Sequence, residues 1–438
     1  MTINAGLCLV IFLVGLFGTA VLFKTPLGFA TGIGALLLVM AIGAPLIGFS
    51  QAAFQGLDSF PLLAIALFIF SGYIMEFTGI SALLIQWIDS FAGRLRGSTG
   101  AVTVLASTFF GMLTGSAVST LSCIGNIMIP EMTKRGYTKS YTGALLAATC
   151  FLGILIPPSG PGIIYAQAAN AKISAVWMAT IVPGILFCVL YITVNYVKRR
   201  KVEEKVTEPL QLGPFLGHAG KTTLIAIPAL IMPIIVFGGI YGGICTPTEA
   251  GAVTCVYGIL YYLFRKKVQH IKMRKNLYEI AYTSASLIAV IGIMLAFANC
   301  AGRAIAQAGI STMIANLVIS NITSKALFLL LVNIAYLFLG MIMDMNAAIL
   351  IMVPLLMPAV TAMGIDPVHF GAITLVNLSV GLLTPPFAAG VFIASKMCET
   401  SFGSIVKDSL PFLAVGLIVI AVTTYCEPLI MWLPGLLG

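Results

Sequence analysis

Apolar runs of about 18 or more residues follow one another almost without pause along this chain. Each is long enough to cross roughly 30 Å of hydrocarbon as a helix. Only 8% of the residues are charged, where a soluble domain uses roughly 25% to cover its surface. An all-α polytopic membrane protein is therefore expected. The first run, Ile3 to Phe23, has no basic stretch before it and no small-residue cleavage pattern after it, so it reads as a retained helix rather than a signal peptide.

The longest polar stretch, residues 198–221 with its KRRKVEEK run, divides the chain near its middle, and the two sides match. Thr25-Pro26 corresponds to Thr246-Pro247, Gly72 to Gly302, Gly79-Ile80-Ser81 to Gly309-Ile310-Ser311, Gly111-Met112 to Gly340-Met341, and Gly143 to Gly371. The clearest pair is ILIPPSGPGIIYA (Ile154 to Ala166) against LLTPPFAAGVFIA (Leu382 to Ala394). An ordered series of Gly and Pro landmarks at nearly constant spacing points to a duplication. The halves are expected at 1–197 and 222–438. In the first, scaffold helices cover 1–78, an amphipathic arm 79–97, and a hairpin with a broken helix 98–170. In the second, the same parts cover 222–300, 301–322 and 325–396.

Charge sets the orientation. Helices are expected over about 3–23, 26–48 and 58–78, followed by the hairpin 98–132. Arg94 and Arg96 flank that hairpin on one side, and Lys134, Arg135 and Lys139 on the other. Both flanks are basic, so both face the cytoplasm, and the hairpin re-enters at its Thr114-Gly115-Ser116-Ala117 tip. A helix broken at Pro157-Pro158 then crosses outward, and another returns to KRRK. Five crossings are an odd number, so a second copy of the plan must be inverted. The expectation is two inverted repeats with about ten transmembrane helices, two re-entrant hairpins, and both termini periplasmic. All of the 23 Lys and Arg except Lys172, Arg303 and Lys325 then fall inside. This accounts for the formal charge of +9 and leaves no reason to invoke nucleic acid. Nine Cys without paired spacing, three scattered His and the lack of a P-loop argue against a disulfide framework, a metal centre and ATP-driven transport.

The breaks are the candidate site. Backbone groups freed inside hydrocarbon cost several kcal/mol each unless they line a polar cavity. Four breaks occupy matching places: TGSA and LIPPSGPG in one half, MDMN (Met343 to Asn346) and LTPPFAAG in the other. Unwound carbonyls and hydroxyls suit a small hard cation, and half-helix N-termini suit an anion. Asp344 is the only acid at its hairpin tip, and cation ligation is favoured there over a structural hydrogen bond. Glu249, in Thr246-Pro247-Thr248-Glu249, reads as part of a capping box. Arg303 could attract an anion or snorkel to the interface.

DSFPLLAIALFIFSG, GMLTGSAVS, GILIPPSGPGIIYA, GGICTPTEAGAV, MDMNAAILIMVP and GLLTPPFAAGVFIA, spread over essentially the whole chain, together resemble the large membrane subunit of TRAP (tripartite ATP-independent periplasmic) transporters. The resemblance implies an elevator-type, Na⁺-coupled importer in the bacterial inner membrane. It would work with a small four-helix membrane subunit and a periplasmic substrate-binding protein on a small organic anion: a carboxylate such as a C4-dicarboxylate or sialic acid, or a sulfonate. Family sodium sites map onto Thr114, Ser116, Gly153, Ile156 and Pro158, and onto Asp344, Gly381, Thr384 and Pro386. Gly115, Ser159, Gly160, Asn346, Phe387 and Arg303 are the candidate substrate contacts. Thr114 stands where the family turn usually has Ser, and Phe387 with two alanines replaces small polar residues. One rival is a stand-alone Na⁺/dicarboxylate symporter. An intramembrane enzyme would need paired catalytic groups, and Asp344 has no second acid near it in sequence.

Overall fold

The computed structural model describes residues 4–92, 98–199, 212–267, 275–322, 324–386 and 388–437. The first half comprises α1 (Ala5–Leu22), α2 (Leu27–Ala41), α3 (Leu46–Leu57), α4 (Phe60–Phe77) and α5 (Ile80–Ala92). It continues with α6 (Ser98–Thr114), α7 (Ala117–Lys134), α8 (Lys139–Thr149), α9 (Leu152–Leu155), α10 (Gly160–Ala168) and α11 (Ile173–Arg199). The second half comprises α12 (Leu212–Tyr241), α13 (Pro247–Lys267), α14 (Leu277–Gln307), α15 (Ile310–Asn321) and α16 (Lys325–Ile342). Then come α17 (Met345–Ala362), α18 (Pro367–Gly381), α19 (Ala389–Met397), α20 (Phe402–Tyr425) and α21 (Glu427–Leu437). Among the described residues, eight helices are long and apolar enough to cross a membrane. The count is nine if the bent pair Lys139–Leu155 and Gly160–Ala168 forms one span. Large apolar side chains such as Val14, Phe54, Leu224, Ile234 and Phe338 stay exposed, as lipid-facing surfaces require. The chain is a multi-pass membrane protein.

Three boundaries differ from expectation. The helix expected over 26–48 stops at Ala41, because Gly43 takes a left-handed conformation (φ +69°) and Pro45 restarts the chain as α3. Of the charged linker expected over 198–221, residues 200–211 lie outside the described residues, and the chain is already helical from Leu212. The second arm begins at Ile310 rather than residue 301. Nothing interrupts α14 before Gly309, which has φ +69°. Arg94 and Arg96 fall outside the described residues.

Helix packing is reciprocal between the halves. α4 packs on α13 and α14 on α2; α5 packs on α12 and α15 on α1; α10 packs on α17 and α19 on α7. Buried polar pairs add to this packing, as they do between membrane helices generally. Asn377 Nδ2 donates to Asn333 Oδ1 (2.9 Å), and Asn333 Nδ2 donates to the Thr424 hydroxyl (3.0 Å), joining α18, α16 and α20.

The capping box at α13 is formed as read. Thr246 Oγ1 accepts from the Glu249 N–H (3.3 Å), and Glu249 Oε2 accepts from the Thr246 N–H (2.7 Å). Since Glu249 serves its own helix start, Glu249→Ala is expected to lower the melting temperature of the purified protein. Uptake per folded molecule should stay near wild type; a selective loss of uptake would give Glu249 a role at the site.

Candidate transport site

Single prolines inside helices do not open them here. Pro130, Pro183, Pro354 and Pro411 all sit within continuous helices. Adjacent prolines do. Pro157 and Pro158 remove two successive N–H donors, so the carbonyls of Gly153 and Ile154 have no helical partner. Each proline also pushes the residue before it out of the helical region, and Ile156 is extended (φ −88°, ψ 125°). The helix resumes at Gly160, capped by Ser159, whose side chain accepts from the Gly162 N–H (3.2 Å). The two arms meet at a 51° bend.

The hairpin tip between α6 and α7 turns on Gly115, with φ +60°. A Cβ placed on Gly115 would lie 3.8 Å from the Pro158 carbonyl oxygen and 4.0 Å from the Gly160 nitrogen, so the tip faces the break. Ser116 caps α7, its hydroxyl accepting from the Ser119 N–H (3.4 Å). The Thr114 hydroxyl lies 3.4 Å from both the Gly111 carbonyl and the Thr120 hydroxyl. At the other tip Asp344 caps α17, Oδ1 accepting from the Asn346 N–H (2.9 Å). Asn346 Oδ1 is buried with no hydrogen-bond partner among the described residues.

These pieces converge on one cavity of about 410 Å³. Thr114, Gly115, Ser116, Pro158, Gly160, Asp344 and Asn346 all line it. Of the expected set, Gly153 and Ile156 do not line it. Ser159 is 1% exposed and occupied with its cap and with Trp177, whose Nε1 donates to the Ser159 carbonyl (3.0 Å). Gly381, Thr384 and Pro386 do not reach the lining, although Leu382 does. Phe387 lies outside the described residues. Arg303 is elsewhere, on a second cavity.

The two Pro-Pro breaks differ in what they leave open. In the second, the Gly381 carbonyl accepts from the Thr384 N–H (3.0 Å) and the Leu382 carbonyl from the Gly390 N–H (3.1 Å). The Thr384 hydroxyl donates to the Val380 carbonyl (2.8 Å). No corresponding bonds to the Gly153 and Ile154 carbonyls occur among the described residues. Oxygen atoms suited to a small cation are therefore freer at the first break and at the Asp344–Asn346 tip than around Gly381 and Thr384.

One cavity residue escaped the sequence reading. Glu76, the only charged side chain in α4, lines the cavity beside Tyr73, and the Ser119 hydroxyl donates to its Oε2. A lone acid in an apolar run was the available signal.

Residues 9–429 match the family described as "Tripartite ATP-independent periplasmic transporter, DctM component". The isethionate TRAP transporter permease protein DctMQ of Oleidesulfovibrio alaskensis is 35% identical over 97% of this chain, which spans 66% of that protein's length. The sialic acid TRAP transporter large permease protein SiaM of Vibrio cholerae is 30% identical over 94% of this chain and 95% of its own. The C4-dicarboxylate TRAP transporter large permease protein DctM of Pseudomonas aeruginosa is 32% identical over 88% of both. Among solved structures, the YdaH transporter of Alcanivorax borkumensis shares the fold. It has a TM-score of 0.58 at 15% identity, with 88% of each chain covered. With the family matched from residue 9 to residue 429, the chain belongs to the tripartite ATP-independent periplasmic transporters, as their large membrane subunit.

Proposed function

We propose that this chain imports a small organic anion across the bacterial inner membrane, coupled to Na⁺ as co-transported cargo. The anion would be handed over by a periplasmic binding protein, and a small four-helix membrane subunit would complete the assembly. The observation that carries this reading is the single cavity where the TGSA tip, the Pro158–Gly160 break and the Asp344–Asn346 tip converge. Thr114, Ser116 and the carbonyls of Gly153, Ile156 and Pro158 would hold one cation. Asp344 would hold another, joined by the Asn346 oxygen that has no hydrogen-bond partner among the described residues. The starts of α7, α10 and α17 present N–H groups and positive dipole ends to an anion, beside Gly115 and Gly160. The anions named for the relatives, isethionate, sialic acid and C4-dicarboxylates, share a carboxylate or sulfonate group.

The exchanged packing of the two halves supports inverted repeats, and the distribution of Lys and Arg supports periplasmic termini. In this reading α6–α11 and α16–α20 move as an elevator against the scaffold helices. Arg265 Nη1 donates to the Thr78 carbonyl (2.5 Å), which supports a common cytoplasmic flank for the ends of α13 and α4. The test is uptake of radiolabelled isethionate, succinate and sialic acid into proteoliposomes carrying the chain with its small subunit. Uptake of one of them should require both a Na⁺ gradient and the cognate binding protein. Full-rate uptake in Na⁺-free, proton-driven vesicles overturns the coupling. Full-rate uptake without the binding protein points to a stand-alone symporter.

A further inference from the structure

A second cavity of about 520 Å³ lies further along the helices that line the first. On α10, Ile164 faces the first and Gln167 the second; on α14, Ile291 and Arg303 divide in the same way; on α17, Asn346 and Pro354 do so. Ile291 and Arg303 are separated by about 18 Å at 1.5 Å per helical residue. Between the chambers, Ile164, Ile291, Leu295 and Leu350 belong to the continuous apolar core. The two cavities therefore stand end to end on one track with an apolar partition between them.

Their linings differ in charge. The break cavity carries two acids, Glu76 and Asp344, and no Lys, Arg or His among the described residues lining it. The second chamber carries Arg303 as its one charged side chain, with Gln55, Gln167, Asn170, Asn299 and Thr312, and no Asp or Glu among the described lining residues. No ion pair to Arg303 occurs among the described residues. Arg303 also lines an adjoining cavity of about 140 Å³ together with Gln51 and Gln307. A cation on a membrane helix is costly unless it faces water or an anion. The planar five-donor fork of Arg matches a carboxylate or sulfonate bidentately.

We propose that this chamber is an outer anion site, distinct from the break cavity. There, the carboxylate or sulfonate of the incoming solute pairs with Arg303 before it passes the Leu295–Leu350 partition. This rests on the importer reading above, which puts the chamber on the periplasmic side. The division of charge lets the outer chamber collect the anion and the inner one its cations. An anionic lipid headgroup offers the same chemistry, so the test must separate the two sources.

The experiment uses the chain co-reconstituted with its small subunit in vesicles of zwitterionic lipid, carrying Thr312→Cys and Cys426→Ser, since Cys426 is exposed. A membrane-impermeant maleimide reports access to the thiol introduced at position 312, with isethionate, succinate or sialic acid as the probe. At least one anion should slow labelling several-fold. The slowing should persist without Na⁺ and in an Asp344→Asn background, disappear in Arg303→Gln, and return in part in Arg303→Lys. In uptake assays Arg303→Gln should raise KM about tenfold with kcat little changed. Labelling unaffected by all three anions, or slowing that survives Arg303→Gln, overturns the outer site, as does a thiol that never reacts. Slowing without added anion, only in vesicles containing phosphatidylglycerol, overturns it in favour of a lipid headgroup. Because the labelling arms do not depend on transport, a wild-type protein without Na⁺-driven uptake would sink the importer reading and leave the anion site standing.

Discussion

Asp344→Asn is expected to abolish Na⁺-driven uptake while leaving the protein folded and assembled. The Asp344 carboxylate has two roles that this substitution separates. It caps α17 through the Asn346 N–H, a function Asn performs about as well as Asp. It also places a negative charge in the cavity beside the buried, unpartnered oxygen of Asn346. On the proposed reading this charge holds the bound cation, so losing it should lower kcat/KM by a factor on the order of 100, about 3 kcal/mol. Asp344→Ala loses the cap as well, and its melting temperature should drop where that of Asp344→Asn does not, reflecting about 1 kcal/mol. The readouts are proteoliposome uptake against Na⁺ concentration and thermal unfolding of the purified variants. If Asp344→Asn keeps more than a tenth of wild-type uptake with unchanged Na⁺ dependence, the carboxylate is only a helix cap.

The parts of the site that sequence made legible share one cause: each is written in residues whose backbone chemistry leaves little choice. Two adjacent prolines remove two donors, and a Gly followed by a capping Ser ends one helix and starts the next. Hence the breaks at 115–116, 156–159 and 343–344 fall where the Pro-Pro, TGSA and MDMN segments predict. Where the outcome depends on tertiary packing, sequence was a poorer guide. The matching Pro-Pro breaks predict matching ligand sets, yet the chain around Pro385-Pro386 closes its freed carbonyls with the N–H groups of Thr384 and Gly390. That depends on how residues 382–386 and 388–390 fold back, including Ala388 in a left-handed conformation (φ +34°), which no spacing encodes. Arg303 and Glu76 illustrate the same limit from opposite sides. Each is a lone charge in an apolar run, and only the packing of α4 and α14 places one on the break cavity and the other on a separate chamber.

Gly153→Ala is expected to be among the most damaging single-methyl additions in the chain, and its reason lies across the bundle. Gly153 on α9 crosses Gly111 on α6 so closely that a Cβ on Gly111 would stand 2.6 Å from the Gly153 Cα. A Cβ on Gly153 would run into the Gly111 backbone in turn. The second half repeats the crossing between Gly381 and Gly340, where a Cβ on Gly381 would meet the Gly340 Cα at 2.6 Å. In the reverse direction there is more room, since a Cβ on Gly340 would find the Leu378 carbonyl at 3.0 Å and the Gly381 Cα at 3.1 Å. In all four cases the obstacle is backbone, which cannot rotate aside as a side chain can, and overpacking of this kind costs about 1–3 kcal/mol or more. Small residues that bring membrane helices into backbone contact are a general device; here they also hold the first break against the hairpin tip that faces it. Destabilisation should therefore rank Gly153→Ala and Gly111→Ala first, Gly381→Ala next and Gly340→Ala last. Gly160→Ala serves as the control, because a Cβ there meets nothing within 4 Å. Thermal unfolding and folded yield of the five purified variants check the order. Equal stability of Gly153→Ala and Gly160→Ala would mean that the crossing is loose, and with it the placement of the first break against the hairpin tip.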